Sequence, residues 1–169
     1  MNYVRFGVMI ATATIVMSGL MYLNTYAFDD VWFSQTRVWM AILMGGVMAI
    51  IMLSFMLNMY KNNRINIAIV VAAIALFVGA LWLVRSQKTV YDVAYTKAMI
   101  PHHSIAILTS QRAHIRDSRV RKLADQIIES QVREIEEMKQ SIADLEQSPV
   151  PADTPDLPPR AAKGARPPN

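Results

Sequence analysis

Three uncharged apolar runs occupy the first half of the chain: Phe6 to Leu23, Val38 to Tyr60 and Ile65 to Val84, of 18, 23 and 20 residues. A helix needs about 20 apolar residues to cross a hydrocarbon core of roughly 30 Å, so each run is long enough to span a bilayer. A single run of this kind can be a buried core helix, but three before residue 85 leave a soluble domain nothing to bury them with. The runs predict three transmembrane helices, at about 6–23, 38–60 and 65–84, in a membrane domain of residues 1–85. The lipid bilayer is then the first partner.

Aromatic side chains mark the two levels where such helices would meet water. Tyr22, Tyr26, Trp32, Trp39 and Trp82 fall on one side, Tyr3, Phe6 and Tyr60 on the other. Arg5, Lys61 and Arg64 share the N-terminal side and Arg37, Arg85 and Lys88 the opposite one, a tie by Lys/Arg count. The free amino terminus and the tight basic loop 61–64 tip the reading towards a cytoplasmic N-terminus. The first run also reads as a signal peptide, with Arg5 as its basic region and Thr25-Tyr26-Ala27 as a cleavage site. Its apolar core is longer than the roughly 7–15 residues usual for such peptides. Under either reading the last two spans form a hairpin and the C-terminal part ends outside.

Residues 86–148 are polar, carry nine basic and nine acidic side chains, and contain no Gly and one Pro. This composition favours helices. One is expected from about Thr89 to Ile115 and a second from about Ser118 to Glu146, capped by Asp117 or Ser118. The second shows an amphipathic stripe: Val120, Ala124, Ile127, Gln131, Glu134, Met138, Ile142 and Leu145. The short connection predicts antiparallel packing. Seven of the eight prolines fall between Pro149 and Pro168, so residues 149–169 read as a disordered tail.

The chain lacks Cys, which excludes disulfides, thiolate zinc sites and a Cys nucleophile. Its net charge of +4 divides unevenly, and no segment is a basic patch suited to a nucleic-acid partner. The 12 Met include a run at every fourth position, Met40, Met44, Met48, Met52 and Met56, followed by Met59. This stripe reads first as adaptable packing and second as a thioether relay. Ala41, Gly45 and Ala49, with Ala68–Ala72 and Ala75–Gly79 in the third span, offer close helix contacts.

Met99-Ile100-Pro101-His102-His103 is the segment with chemistry. On a helix, Met99 is a neighbour of both His102 and His103, so a thioether and an imidazole can converge. Adjacent histidines diverge by about 100°, so they can face different partners or flank one seam. Pro101 removes a backbone donor beside them. Gln131, Glu134 and Met138 lie on the inward stripe of the second helix, where polar groups need partners. In an antiparallel hairpin both sets fall near mid-helix and can meet. Met and neutral His suit Cu(I) or Ag(I), and a carboxylate also admits Cu(II) or Zn(II). His114 reads as a solvated residue near a helix end. No His-Glu-x-x-His, Glu-x-x-His, nucleophile elbow, phosphate loop or dinucleotide fingerprint occurs.

Met99-Ile100-Pro101-His102-His103, followed by Ala106-Ile107, then Leu123-Ala124, Ile127-Ile128, Gln131, Glu134-Ile135 and Met138, resembles the domain-of-unknown-function 305 family over about residues 89–146. The resemblance implies a ferritin-like helical fold. Some family members are extracytoplasmic copper- or silver-binding proteins of bacteria, which implies Met99, His102, His103 and Met138 as ligand candidates, with Gln131 and Glu134 as part of the motif. Members often have Met at or near the position of Thr109, and many carry two copies of the motif. This chain has one copy, and a two-helix hairpin buries little core alone. It is therefore expected to pair into a four-helix bundle, as a homodimer or with a partner subunit.

The resulting expectation is an all-α protein of the bacterial inner membrane. It has three spans, an extracytoplasmic antiparallel hairpin (86–148) that is half of a ferritin-like four-helix bundle, and a Pro-rich tail. It is no enzyme; it binds copper, Cu(I) or Cu(II), through Met99, His102, His103, Glu134 and Met138, for sequestration, delivery or tolerance. The alternative is an accessory subunit of a membrane complex in which the His/Met motif is structural.

Overall fold

The computed structural model describes residues 2–151 and 153–158. Among these it is all-α. The five helices are α1 (Tyr3–Leu20), α2 (Gln35–Phe55), α3 (Asn63–Ser86), α4 (Asp92–Arg112) and α5 (Ser118–Gln147), with a 3₁₀ turn at Phe28–Asp30 before α2. Helices α1, α2 and α3 are long and apolar enough to cross a membrane. The expected tail, 149–169, lies outside the described residues at 152 and 159–169.

Caps, rather than hydropathy, set the helix starts. Asn2 accepts a hydrogen bond from the Val4 amide, so α1 begins three residues before the apolar run. Ser34 caps α2 through the Arg37 amide, and Asn62 caps α3 through the Arg64 and Ile65 amides. At their other ends the first two runs overshoot: α1 stops at Leu20 instead of 23 and α2 at Phe55 instead of 60. Apolar composition shows what lipid tolerates, whereas a helix ends where its backbone turns. Helix α4 is shorter than the expected 89–115 at both ends, and Ala113 leaves it in an extended conformation. Helix α5 starts where expected, with Asp117 Oδ1 accepting from the Arg119 amide at 2.8 Å.

Helix α2 packs between α1 and α3. Two adjacent glycines allow both approaches. A Cβ on Gly45 would meet Thr14 Oγ1 of α1 at 2.5 Å, and one on Gly46 would lie 2.9 Å from the Ala73 carbonyl oxygen of α3. Asn66, Ala73 and Ala80 are the buried residues of α3. They recur every seven residues, so the pairs expected at this contact, Ala68–Ala72 and Ala75–Gly79, rotate off the seam and are exposed.

At the N-terminal end Phe6, Leu53 and Tyr60 form a buried cluster with Tyr3, Met52 and Met56 around it. Two members of the Met stripe therefore pack, while Met44 is exposed. The Tyr3 hydroxyl donates to Asn66 Oδ1 at 2.9 Å, and Asn66 Nδ2 donates to the Tyr60 carbonyl at 2.7 Å. These bonds satisfy the one buried amide side chain of α3 and clamp the α2–α3 turn. The N-terminus and this turn share one end of the helix trio, with the α1–α2 loop and α4–α5 at the other.

Contacts between α4 and α5 run in opposite sequence order: Lys97 with Glu146, His103 with Glu134, and the Ser110 carbonyl with Arg121. The two helices are antiparallel. Their core is Ile100, Ile107, Ile135 and Ile142, with Ile128, Met138 and Trp32 packed against it. Each fully buried isoleucine contributes roughly 1.5–3 kcal/mol. The inner line of α5 thus passes through Ile128 and Ile135, one step round from the expected Ile127 and Glu134, and Val120 is exposed. Trp32, expected at a membrane interface, covers the hairpin core and donates its Nε1–H to the Asp29 carbonyl.

The two glycines give a graded prediction. Gly46→Ala sets its methyl against backbone and is expected to cost about 1–3 kcal/mol, the usual range for overpacking. Gly45→Ala meets only a threonine side chain and should cost less. Gly79, with nothing near its Cβ position, should tolerate alanine. Thermal unfolding of the three variants in detergent checks the order.

Candidate functional site

Pro101 is buried inside α4, and the helix continues through it. Its missing N–H leaves the Lys97 carbonyl without the usual helical partner. Ile100, Ser104 and Ile107 face the core, and His103 sits one step round, on the seam against α5. Its side chain is 13% exposed, and Nδ1 lies 3.1 Å from Glu134 Oε2. That nitrogen is buried yet makes no hydrogen bond. The carboxylate is close to this nitrogen without forming a hydrogen bond to it. Glu134 Oε2 also accepts from Gln131 Nε2, one turn earlier on α5, at 3.3 Å.

Burial lowers the His103 pKa below the ordinary histidine value; the Glu134 carboxylate opposes this and His102 adds to it. The folded chain therefore favours the neutral imidazole, the form that ligates metals.

The fold thus unites His103, Glu134 and Gln131 of the predicted set. His102 is exposed, its ring centroid 6.0 Å from that of His103 and its plane tilted by 60°. The two rings face different surroundings. Met99 is half-buried one turn before His103, and Met138, one turn after Glu134, packs against the isoleucine core. Among the described residues, no three His, Asp or Glu side chains group closely enough to hold a metal ion unaided. Any metal held here must draw on the thioethers, on water or on another chain. His114 is exposed beyond the end of α4.

A second polar cluster lies beside the first and was not legible in the motif. Asp30, in the α1–α2 loop, is 5% exposed, and Ser104 is fully buried. Ser104 Oγ donates to Asp30 Oδ2 at 2.7 Å and accepts from the Tyr26 amide at 2.8 Å. Lys139 Nζ approaches Asp30 Oδ1 at 3.1 Å. Ser104 and Lys139 directly follow His103 and Met138 in sequence. The acidic pair Asp29-Asp30 in a short interspan loop was the available signal, but nothing in the sequence named its partners.

Because the His103 pKa is lower in the folded than in the unfolded chain, the unfolded chain takes up the proton first as pH falls. The stability due to this group is complete above the unfolded value of about 6.5 and declines below it. The His103 ring signals should titrate below the ordinary histidine range in NMR spectra. His103→Asn should remove part of the loss of thermal stability between pH 7 and 5.5.

A family model described as a domain of unknown function (DUF305) matches residues 84–167. "Uncharacterized protein L153" of Acanthamoeba polyphaga mimivirus is 32% identical over 130 residues, covering 75% of this chain and 84% of that protein. That alignment is longer than the whole stretch from residue 84 onwards, so the likeness reaches into the apolar half. No solved structure gives a significant match. The family model covers the motif on α4 and α5, and the chain belongs to the DUF305 family.

Proposed function

We propose that this protein is a membrane-anchored metal-binding protein whose α4–α5 hairpin takes up copper or a similarly soft ion on the extracytoplasmic side, for sequestration, delivery or tolerance. The observation that carries the reading is the buried Nδ1 of His103: it is held beside the Glu134 carboxylate, has no hydrogen bond, and belongs to a ring whose burial favours the neutral form. His103 and Glu134 are the primary ligands. Met99 and Met138 supply thioethers from adjacent turns, and the outward His102 supplies an imidazole to an ion approaching from solvent. Thioether and neutral imidazole favour Cu(I), and the carboxylate extends the range to Cu(II). When bound, the ion is cargo, and the reading includes no turnover.

Membrane anchoring rests on the length and apolarity of α1, α2 and α3. For orientation, Arg5, Lys61 and Arg64 flank the N-terminal end. At the other end lie Arg85, Lys88 and Arg37, the last folded back onto the Met21 carbonyl and the Tyr22 ring. The tight basic loop 61–64 supports a cytoplasmic N-terminus. Pairing of two hairpins, or of the hairpin with a partner subunit, into a ferritin-like four-helix bundle is supported by exposed Val120, Leu123 and Val132 on α5.

A second reading has its own support. Met138 packs against the apolar core, and the residues beside the motif anchor the α1–α2 loop. An accessory subunit that uses the motif structurally would show both features.

Titration of the full chain in detergent with Cu(I), against a competing chelator, separates the two. The full chain is required because Trp32 completes the hairpin core. Replacing His102 and His103 together by Ala should weaken binding at least tenfold, the lower end for loss of site groups. Unchanged affinity would mean that the motif is structural. A reporter fused after Asn169 should be active only on the extracytoplasmic side.

A further inference from the structure

The α1–α2 loop does more than connect two apolar helices. It closes on itself: the Ser34 amide donates to the Tyr22 hydroxyl at 3.0 Å, and Arg37 reaches back to the Met21 carbonyl at 2.7 Å while lying 4.3 Å over the Tyr22 ring. From this closed loop one carboxylate, Asp30, enters the hairpin. One oxygen accepts from Ser104 of α4 and the other meets Lys139 of α5. Ser104 also receives the Tyr26 amide, so the loop grips α4 through two of its own groups. Trp32 lies against the isoleucines that join the two helices.

We propose that Asp30 is a positioning residue for the candidate site: it fixes the register of α4 against α5, and thereby sets His103 opposite Glu134. A single rigid carboxylate ties two helices at the residues immediately following His103 and Met138. A slip of one helix past the other would break one of its two contacts. Ser104 is fully buried, so its hydroxyl has no solvent to replace Asp30. Apolar contacts among isoleucines tolerate small shifts, whereas a hydrogen bond at 2.7 Å does not. The His103–Glu134 register is thus tied to the loop, and through it to α1 and α2. As a statement about metal affinity, the inference rests on the function proposed above; as a statement about His103 geometry, it stands alone.

The test uses the full chain in phosphatidylcholine nanodiscs, with Asp30→Asn, Asp30→Ala and the exposed neighbour Asp29→Ala. Asparagine keeps an acceptor for Ser104 and loses the charge for Lys139, so it guards against an alanine variant that fails to fold. The first readout is the NMR signature of the His103 imidazole, with His114 as internal reference. Both Asp30 variants should shift His103 and leave His114 in place, and Asp29→Ala should move neither. Hydrogen exchange over 100–107 and 135–142 should rise in the Asp30 variants. Cu(I) affinity, measured against a competing chelator, should fall about tenfold, as for loss of an outer partner of a ligand. His103 signals unchanged in both folded Asp30 variants would overturn the proposal whatever the copper result. A shifted His103 in a protein whose wild type binds no Cu(I) supports the positioning role and removes the metal reading. A shifted His103 with wild-type Cu(I) affinity, where His103→Ala abolishes binding, overturns the role of Asp30 in the metal site.

Discussion

A carboxylate taken out of water must find partners, and the partners that Asp30 finds decide how the two halves of this molecule meet. Its oxygens are taken by Ser104 and Lys139, one on each helix of the hairpin. An ion buried without such partners costs several kcal/mol, so the loop has few alternative placements. Lys139 keeps part of its side chain in solvent, which moderates the strength of the pair. The specificity comes from Ser104, whose hydroxyl is fully buried and bonded on both sides, to Asp30 and to the Tyr26 amide. The 3₁₀ turn at Phe28–Asp30 aims that carboxylate inwards and brings Trp32 onto the isoleucine core.

The apolar half illustrates a different constraint. Without water, every backbone group must be paired inside the segment, so apolar runs of this length become helices. Length and apolarity were enough to locate all three from sequence. They did not reveal how the helices pack, because lipid and a neighbouring helix are equally apolar. What packs them is shape, and here shape depends on single residues: Gly45 and Gly46, side by side, each admit a different neighbour. The four-residue spacing read for α3 was plausible, yet the seam follows seven residues through Asn66, Ala73 and Ala80. Asn66 would look out of place in a span, and it is explained only by Tyr3 and the Tyr60 carbonyl, far away in sequence or across a turn.

In the hairpin, the motif located the right helices and the right level. Near mid-helix, His103 of the Met99–His103 segment does meet Glu134 of the Gln131–Met138 segment. Periodicity placed Glu134 at the centre of the inner line of α5, whereas Ile135 holds that position. The one-residue offset matters chemically. It puts the carboxylate on the seam, with its side chain 38% exposed, where it can be shared with a ligand entering from solvent. At the centre it would be locked away. The meeting of Asp30 with Ser104 and Lys139 carried no readable signal, because it depends on a loop fold that spans more than 70 residues of sequence separation.

The loop also bears on how a single-motif hairpin reaches a stable core. Ile100, Ile107, Ile135 and Ile142 are all buried within the single chain. Here Trp32 lies on part of that core, supplied from between two apolar helices. The coverage extends to Lys97, whose ammonium lies 5.8 Å over the Trp32 ring while pairing with Glu146. A tryptophan of this kind replaces only a small fraction of the area that a helix pair buries. It therefore limits where the partner proposed above could bind. The surface near Trp32, Asp30 and Lys139 is taken by the chain's own loop. Val120 and Leu123, in the first two turns of α5 beside the 113–117 connection, stay exposed. The partner hairpin proposed above would dock from that end.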